Sequence, residues 1–393
     1  MTFIWEMGPK PKLLLPVIIF SQFAGTSLWF AGNAIIDAIS QDAGSHANIT
    51  SVVQFGFIAG TLVFSLFTIA DRFQPSKVFF FSALIAALTN FLIVPFAYNH
   101  FWLLALRFTT GFFLAGIYPV GMKIASDLFP EKLGKALGFL VGALVLGTSL
   151  PHLVRSQTQL SNWEVVIICT SALSLAGGLL VLLLVPSKKR TAIPPKPDLL
   201  AAAKVFRSAQ FRSAAFGYFG HMWELYAFWA ILPVLFTYYN EQQISNHNGY
   251  FWSFIIIASG GVGCALGGLI SQRTGSKKVA FYSLLISGFC CLLSPMFFQT
   301  APLLFFSFML IWGITVVSDS PQFSTLVARN AEDKNKGTAL TIVTSIGFAI
   351  TILSIQLLKL FFESYKEYSL LLLSPGPVLG LIAFMRLKEN PAK

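Results

Sequence analysis

The residues best suited to chemistry in this chain lie where charge is least expected. In GYFGHMWELYAFWAILP, Gly217 to Pro233, His221 and Glu224 stand one helical turn apart among Phe, Tyr and Trp, and residues three apart share a helix face. A carboxyl group in apolar surroundings is suited to taking up and releasing a proton, and a histidine beside it can relay one. The rival for Glu224 is a fixed ion pair between helices; exchange of a proton or contact with a solute is favoured. The rival for His221 is a plain hydrogen bond to Glu224, and that choice stays open. Asp319, just ahead of Pro321 in VSDSPQF, is a second proton site. Arg107 can bind an anion or pair with a carboxylate such as Asp37 or Asp319, and these readings stand level. Helix bundles can hold a metal on a Glu-x-x-His pair, but the reverse order here has no second motif or Cys/His cluster to complete it. No metal or other cofactor is expected.

The elements that carry these residues follow from composition. Of 393 residues, 55% are hydrophobic and 11% charged, against roughly 25% charged in a soluble domain. Apolar stretches of about 20 residues recur, the length of a helix that crosses a bilayer core. The chain is therefore read as an all-α integral membrane protein. Lys10 and Lys12 precede LLLPVIIF, but the apolar run continues too far for a cleaved leader and ends without a small-residue cleavage site. Cys169, Cys264, Cys290 and Cys291 all lie in apolar segments and read as small buried hydrophobes, with no disulfide implied.

Twelve segments are readable, near 13–38, 51–70, 78–97, 101–124, 135–154, 163–185, 212–238, 249–271, 279–298, 302–328, 337–360 and 367–386. The net charge of +11 does not point to a nucleic-acid partner, because Lys and Arg gather in every second loop. Arg72 and Lys77, Lys132 and Lys135, Arg273 with Lys277 and Lys278, and Arg329 with Lys334 all fit that alternation. Basic loops stay on the cytoplasmic side, so both termini are expected there, as an even count of spans requires. PSKKRTAIPPKPDLLAAAKVFRSAQFR follows segment 6, and its Pro and Lys mark a cytoplasmic linker with room for a short helix at the membrane surface. The expected divisions are a six-helix bundle over 1–185, a linker over 186–210 and a second bundle over 211–393.

The halves echo one another. DRFQPSKV, Asp71 to Val78, leaves segment 2, and QRTGSKKV, Gln272 to Val279, leaves segment 8 with Arg72 and Arg273 in register. EKLGKAL enters segment 5 and DKNKGTAL enters segment 11. Such repeats at half the chain length suit a pseudo-symmetric secondary transporter.

On these features the chain resembles the major facilitator superfamily over essentially its whole length. The family's loop signature after segment 2 carries glycines and an Asp-Arg pair. Asp71 and Arg72 match it, while Phe67, Gln74 and Pro75 depart from it; the second copy keeps Gly268, Arg273, Gly275 and Lys277 and has Gln272 in place of the acid. The resemblance implies that this loop pairs with neighbouring helix ends and gates the inward-to-outward change. Arg107 to Gly111 is similar to an Arg-x-x-x-Gly motif associated with proton-coupled members, whereas Gly138, Gly142, Gly147 and Pro151 are spaced differently from the antiporter signature.

In such a fold segments 1, 4, 7 and 10 line the central cavity, and polar residues concentrate there. Gln22, Thr26, Trp29 and Asn33 in segment 1, Arg107 and Tyr118 in segment 4, Trp229 in segment 7 and Gln322 in segment 10 are the candidate solute contacts. Glu224 lies about 18 Å along the helix from Arg212 at ~1.5 Å per residue, near the midplane. The expectation is a secondary active transporter for a small anionic or zwitterionic solute, coupled to protons, working as a monomer in the lipid bilayer of a bacterial inner membrane. Efflux of amphiphilic drugs is the alternative within the class. A membrane sensor or membrane enzyme is the alternative outside it, and would need a reactive cluster or large extramembrane domain that the sequence lacks.

Overall fold

In a bilayer core no water is present to satisfy backbone N–H and C=O groups, so each spanning segment must bond to itself as a helix. The computed structural model describes residues 11–39, 44–129, 133–186, 205–331 and 336–386, and among these every regular element is helical. Ten stretches are long and apolar enough to cross a membrane, and a shorter apolar helix, Leu13–Thr26, precedes them. One of the ten, Thr338–Met385, turns back on itself. Lys366 takes a left-handed backbone conformation (φ 48°) that ends the incoming helix, and the following 3-10 stretch packs against it. The twelve expected spans are therefore present. The linker over 187–204, the termini, Lys132, Lys188, Lys189, Arg190, Lys196, Lys204 and Lys334 lie outside the described residues.

The spans are α1 (Pro11–Thr26), α2 (Gly44–Leu66), α3 (Pro75–Phe91), α4a (His100–Leu114), α4b (Tyr118–Leu128), α5 (Leu133–Ser156) and α6 (Glu164–Leu184). They continue with α7 (Ala209–Gln243), α8 (Gly249–Thr274), α9 (Ser276–Phe297), α10a (Pro302–Ser318), α10b (Ser320–Asn330), α11 (Lys336–Tyr365) and α12 (Pro375–Met385). Asn99, Ser208 and Asn248 start α4a, α7 and α8 by accepting a hydrogen bond from the first-turn N–H of Trp102, Phe211 and Phe251, the usual role of an Asn or Ser N-cap. Exposed apolar side chains such as Phe81, Leu183, Leu303 and Leu379 face outward, where a bilayer rather than water would meet them.

Segments 1, 4 and 10 are not the continuous helices that hydropathy suggested. Segment 1 stops at Thr26, passes through turns and resumes only at Ile36–Ile39. Segment 4 breaks between Leu114 and Tyr118, and segment 10 breaks at Asp319. Pro119 and Pro321 sit in the first turn after the latter two breaks, where a residue without an N–H leaves no helix bond unmade. The two breaks occupy corresponding places in the halves. So do Gly111 and Gly313, on which an added Cβ would collide with the backbone carbonyl of Val53 in α2 and of Ile256 in α8, respectively. The close approach of α2 to α4a is thus repeated between α8 and α10a, and both need glycine.

Across the halves the main packing is α5 on α8 and α2 on α11. A Cβ on Gly142 or Gly261 would come within 3.0 or 3.1 Å of the other residue's carbonyl oxygen. Small residues there let two membrane helices meet backbone to backbone.

Candidate functional site

Residues expected to share one cavity fall into separate groups. The first surrounds the break in α1. Arg107 is fully buried; its Nη1 donates to the carbonyl of Leu28 at 3.1 Å and to Asn90 Oδ1 at 3.0 Å, and its Nη2 donates to the carbonyl of Trp29 at 2.6 Å. The planar, multi-donor guanidinium suits this task in a way a lysine would not. These carbonyls belong to the segment where α1 loses its helical ladder, so Arg107 satisfies backbone groups that lipid could not. Among the described residues no carboxylate partners Arg107, and neither Asp37 nor Asp319 does. Its Nε has no hydrogen-bond partner.

Asn90, in α3, is the junction behind this group. Its Nδ2 donates to Ser171 Oγ at 2.9 Å and Thr170 Oγ1 at 3.2 Å, tying α3 to α6 while its Oδ1 holds Arg107. An amide inside FFFSALIAALTNFLIVPF was the available signal. Farther along α1, Thr26 bonds the Gln22 carbonyl at 2.8 Å, Asn33 donates to Thr50 Oγ1, and both side-chain amide atoms of Gln22 are buried without partners.

The second group lies inside the second half. His221 Nδ1 is 2.9 Å from Asp319 Oδ1, at the break between α10a and α10b, and both residues are buried. Glu224 does not meet His221. Its Oε1 accepts from Trp312 Nε1 at 2.6 Å and from the Cys291 thiol at 3.3 Å, and its Oε2 accepts from Ser287 Oγ at 2.7 Å. The donors come from α9 and α10a. No cation is among them, so the fixed ion pair weighed from the sequence is not what holds Glu224. Cys291, read as a plain hydrophobe, is a donor here. Phe228 stacks on Trp312 at 4.3 Å and continues the same face of α7.

The third group is aromatic and lies between the halves. Five residues separate His221 from Tyr226 and Glu224 from Trp229, a rotation of roughly 140° at 3.6 residues per turn. His221 and Glu224 therefore face α9 and α10, while Tyr226 and Trp229 face the first half. Trp29 packs on Phe57 at 4.9 Å, on Phe348 at 5.6 Å and on Tyr226 at 5.9 Å. Tyr226 meets Trp229 at 5.3 Å, and Phe30 meets Trp229 at 6.3 Å. Neither indole N–H has an acceptor. Phe57 and Phe348 were not singled out from sequence, because 40 Phe in the chain hide any few of them. Tyr118, half-buried, opens α4b, and Gln322 is buried in α10b.

The remaining groups sit at the two ends. At the basic end, Lys123 of α4b contacts Asp71 at 2.7 Å and Asp127 at 3.8 Å, so the loop after α2 is tied to a neighbouring helix. Arg72 Nε donates to Thr68 Oγ1 at 3.1 Å, and Arg273 is exposed. Gly275 has φ 86° and needs glycine, whereas its counterpart Gln74 has φ −63° ahead of Pro75 and does not. The backbone thus accounts for the copy that lost its glycine. At the opposite end, Tyr250 donates to Asp37, stacks on His152 at 6.0 Å and lies under the Arg155 guanidinium at 5.4 Å. Asn248 Nδ2 donates to the Ser156 carbonyl at 3.1 Å, and Gln356 Nε2 to Ser51 Oγ at 2.9 Å, so polar contacts join the halves there.

The model of one family, described as Major Facilitator Superfamily, matches residues 14–355. The chain belongs to the major facilitator superfamily. Two solved transporters of matching architecture agree on the fold. The human organic anion transporter MFSD10 (TETRAN) superposes with a TM-score of 0.73 at 13% identity, covering 97% of this chain and all 100% of that one. The nucleoside transporter NupG does so with a TM-score of 0.71 at 16% identity, again over 97% and 100%. Among curated proteins, a multi-drug resistance efflux pump PmrA homolog of Lactococcus lactis is 26% identical over 245 residues, 60% of this chain. The niacin transporter NiaP of Acinetobacter baylyi is 36% identical over 113 residues, 26% of this chain. The matched regions span 59% and 25% of those relatives. This superfamily member is thus a multi-pass membrane protein of a transporter family, and not of an enzyme family.

Proposed function

We propose that this chain is a secondary active transporter that moves a small anionic or zwitterionic organic solute by alternating access, driven by protons. The carrying observation is Glu224, buried within the membrane region and held by three neutral donors, Trp312, Ser287 and Cys291. A buried carboxyl without a cation can be neutralised by a proton without breaking an ion pair, and such groups in membranes are characteristic of proton pathways. The Ser287 hydroxyl can reverse, donating to the Leu284 carbonyl 3.5 Å away and accepting from a protonated Glu224. His221 and Asp319, one helical turn off at the break in α10, form the second proton station.

Arg107 supports an anionic solute through its charge, which no carboxylate among the described residues offsets. In this reading residues 1–185 and 211–393 rock about the α5–α8 and α2–α11 contacts. The loop carrying Asp71 and Arg72, with its copy at Arg273 and Gly275, gates the cytoplasmic side, and the membrane is a bacterial inner membrane with both termini inside. Export is the second reading, favoured by the likeness to a protein named as an efflux pump.

The test is proteoliposomes with an imposed pH gradient and an entrapped pH dye, challenged with a panel of monocarboxylates and amino acids. At least one solute should drive proton movement, and Glu224→Gln should abolish accumulation against a gradient while the protein still expresses. Accumulation retained by Glu224→Gln would remove the proton role from Glu224.

A further inference from the structure

The aromatic group between the halves is built differently from an ordinary packed core. Its rings divide cleanly along the boundary between the halves: Trp29 and Phe57 belong to the first, and Tyr226, Trp229 and Phe348 to the second. Rings from opposite sides stack, with Trp29 on Phe348 at an interplanar angle of 23° and on Tyr226 at 29°. When the halves part, each side loses the flat partner it now has.

The polar atoms of this group are also incomplete. Trp29 and Trp229 are at most 1% exposed, and the Nε1 of each has no acceptor. A buried Trp normally finds a partner for its N–H, and an orphaned donor carries the full cost of its desolvation. Gln54, one turn before Phe57 on α2, is buried with neither amide atom bonded. Arg107 meanwhile holds the backbone carbonyl of Trp29 and brings an uncompensated positive charge beside it.

We propose that the transported solute is a planar aromatic carboxylate, whose ring replaces the stacking partners lost when the halves separate and whose carboxylate accepts from the Trp29 and Trp229 N–H groups. A flat ring fits because the opposing walls already stack on flat rings. An anionic acceptor fits because both free indole groups are donors and the nearest uncompensated charge is positive. The inference rests on the transporter reading and adds the chemical class of its solute.

The test is thermal unfolding of the purified full-length chain with graded benzoate and 2-naphthoate. The comparison compounds are cyclohexanecarboxylate, which keeps the charge but is not flat, and benzyl alcohol, which keeps the ring but not the charge. A ligand that binds the native state raises the transition with concentration. An aromatic carboxylate should bind at least tenfold more tightly than either comparison compound. Trp29→Phe and Trp229→Phe keep an aromatic face and remove the N–H together with part of the indole, so the ligand-free transition falls by the packing lost. Each should also weaken binding of the aromatic acids about tenfold, read as a smaller ligand-induced shift from the variant's own ligand-free transition; a purely structural indole would lower the ligand-free transition and leave that shift intact. Equal binding of cyclohexanecarboxylate, no shift with either aromatic acid, or full affinity in both Phe variants would overturn the proposal. Proton movement driven only by aliphatic solutes would overturn it while leaving the transporter reading intact. Tryptophan-dependent binding of the aromatic acids without any solute-driven proton movement would do the reverse.

Discussion

The Arg107 guanidinium donates a 2.6 Å hydrogen bond to the backbone carbonyl of Trp29, seventy-eight residues away in sequence. With the bond to Leu28, it supplies donors that the interrupted α1 cannot supply itself. Arg107 is therefore first a backbone-satisfying residue.

Replacing Arg107 by Ala should orphan both carbonyls and lower stability by about 2–6 kcal/mol, at roughly 1–3 kcal/mol per unsatisfied buried group. Arg107→Lys should fall in between, because one ammonium cannot span Leu28, Trp29 and Asn90 together. Thermal unfolding checks the order. Hydrogen exchange of residues 27–35 should accelerate in the Ala variant, and unchanged exchange there would remove the bracing role.

Tyr250→Phe deletes the hydrogen bond to Asp37 but keeps the ring on His152. A bond to a charged group is worth roughly 1.5–3 kcal/mol, so the ratio of open to closed states at this end should rise about tenfold or more. Labelling rates of a single cysteine placed at Ala47, buried at this end of α2, in a background without the native cysteines, report that opening. An unaltered rate would mean that Tyr250 is not a latch.

Trp312→Phe leaves a smaller aromatic ring beside Phe228 and removes the 2.6 Å donor to Glu224. It should cost about 1–3 kcal/mol and reduce solute-driven proton movement in proteoliposomes. A variant with wild-type stability and coupling would show that Ser287 and Cys291 suffice.

Gly111→Ala and Gly313→Ala should each destabilise by about 1–3 kcal/mol, the range for overpacking, because each methyl group meets a backbone carbonyl that cannot step aside. Similar losses at both positions would match the repeated geometry. A loss at one alone would show that the halves differ there.

Gly275→Ala should cost roughly 1 kcal/mol or more, since φ 86° strains any residue with a side chain. Gln74→Gly, at φ −63°, should change stability by less than about 1 kcal/mol. The pair is checked by thermal unfolding, and equal effects would contradict the backbone account of the unequal loop copies.

Span number was legible because lipid imposes it: apolar length follows from solvation and needs no knowledge of neighbours. The breaks in α1, α4 and α10 were less legible. LWFAGNAII reads as uninterrupted apolar helix, and it opens because Arg107, on another helix, is placed to take its carbonyls. Pro119 and Pro321 marked the other two breaks, but a proline in the first turn after a break looks in sequence like one within a helix.

The opening pair shows the same division. The sequence by itself determined that His221 and Glu224 share one face of a helix and that Tyr226 and Trp229 share another, since the 3.6-residue period is a property of the chain alone. Only the tertiary structure decided that the first face turns to α9 and α10, giving His221 to Asp319 and Glu224 to Trp312, Ser287 and Cys291, while the second meets Trp29. The physical reason is that periodicity sets angles about one axis, whereas partners depend on which neighbouring helices bring complementary donors, acceptors and rings to those angles.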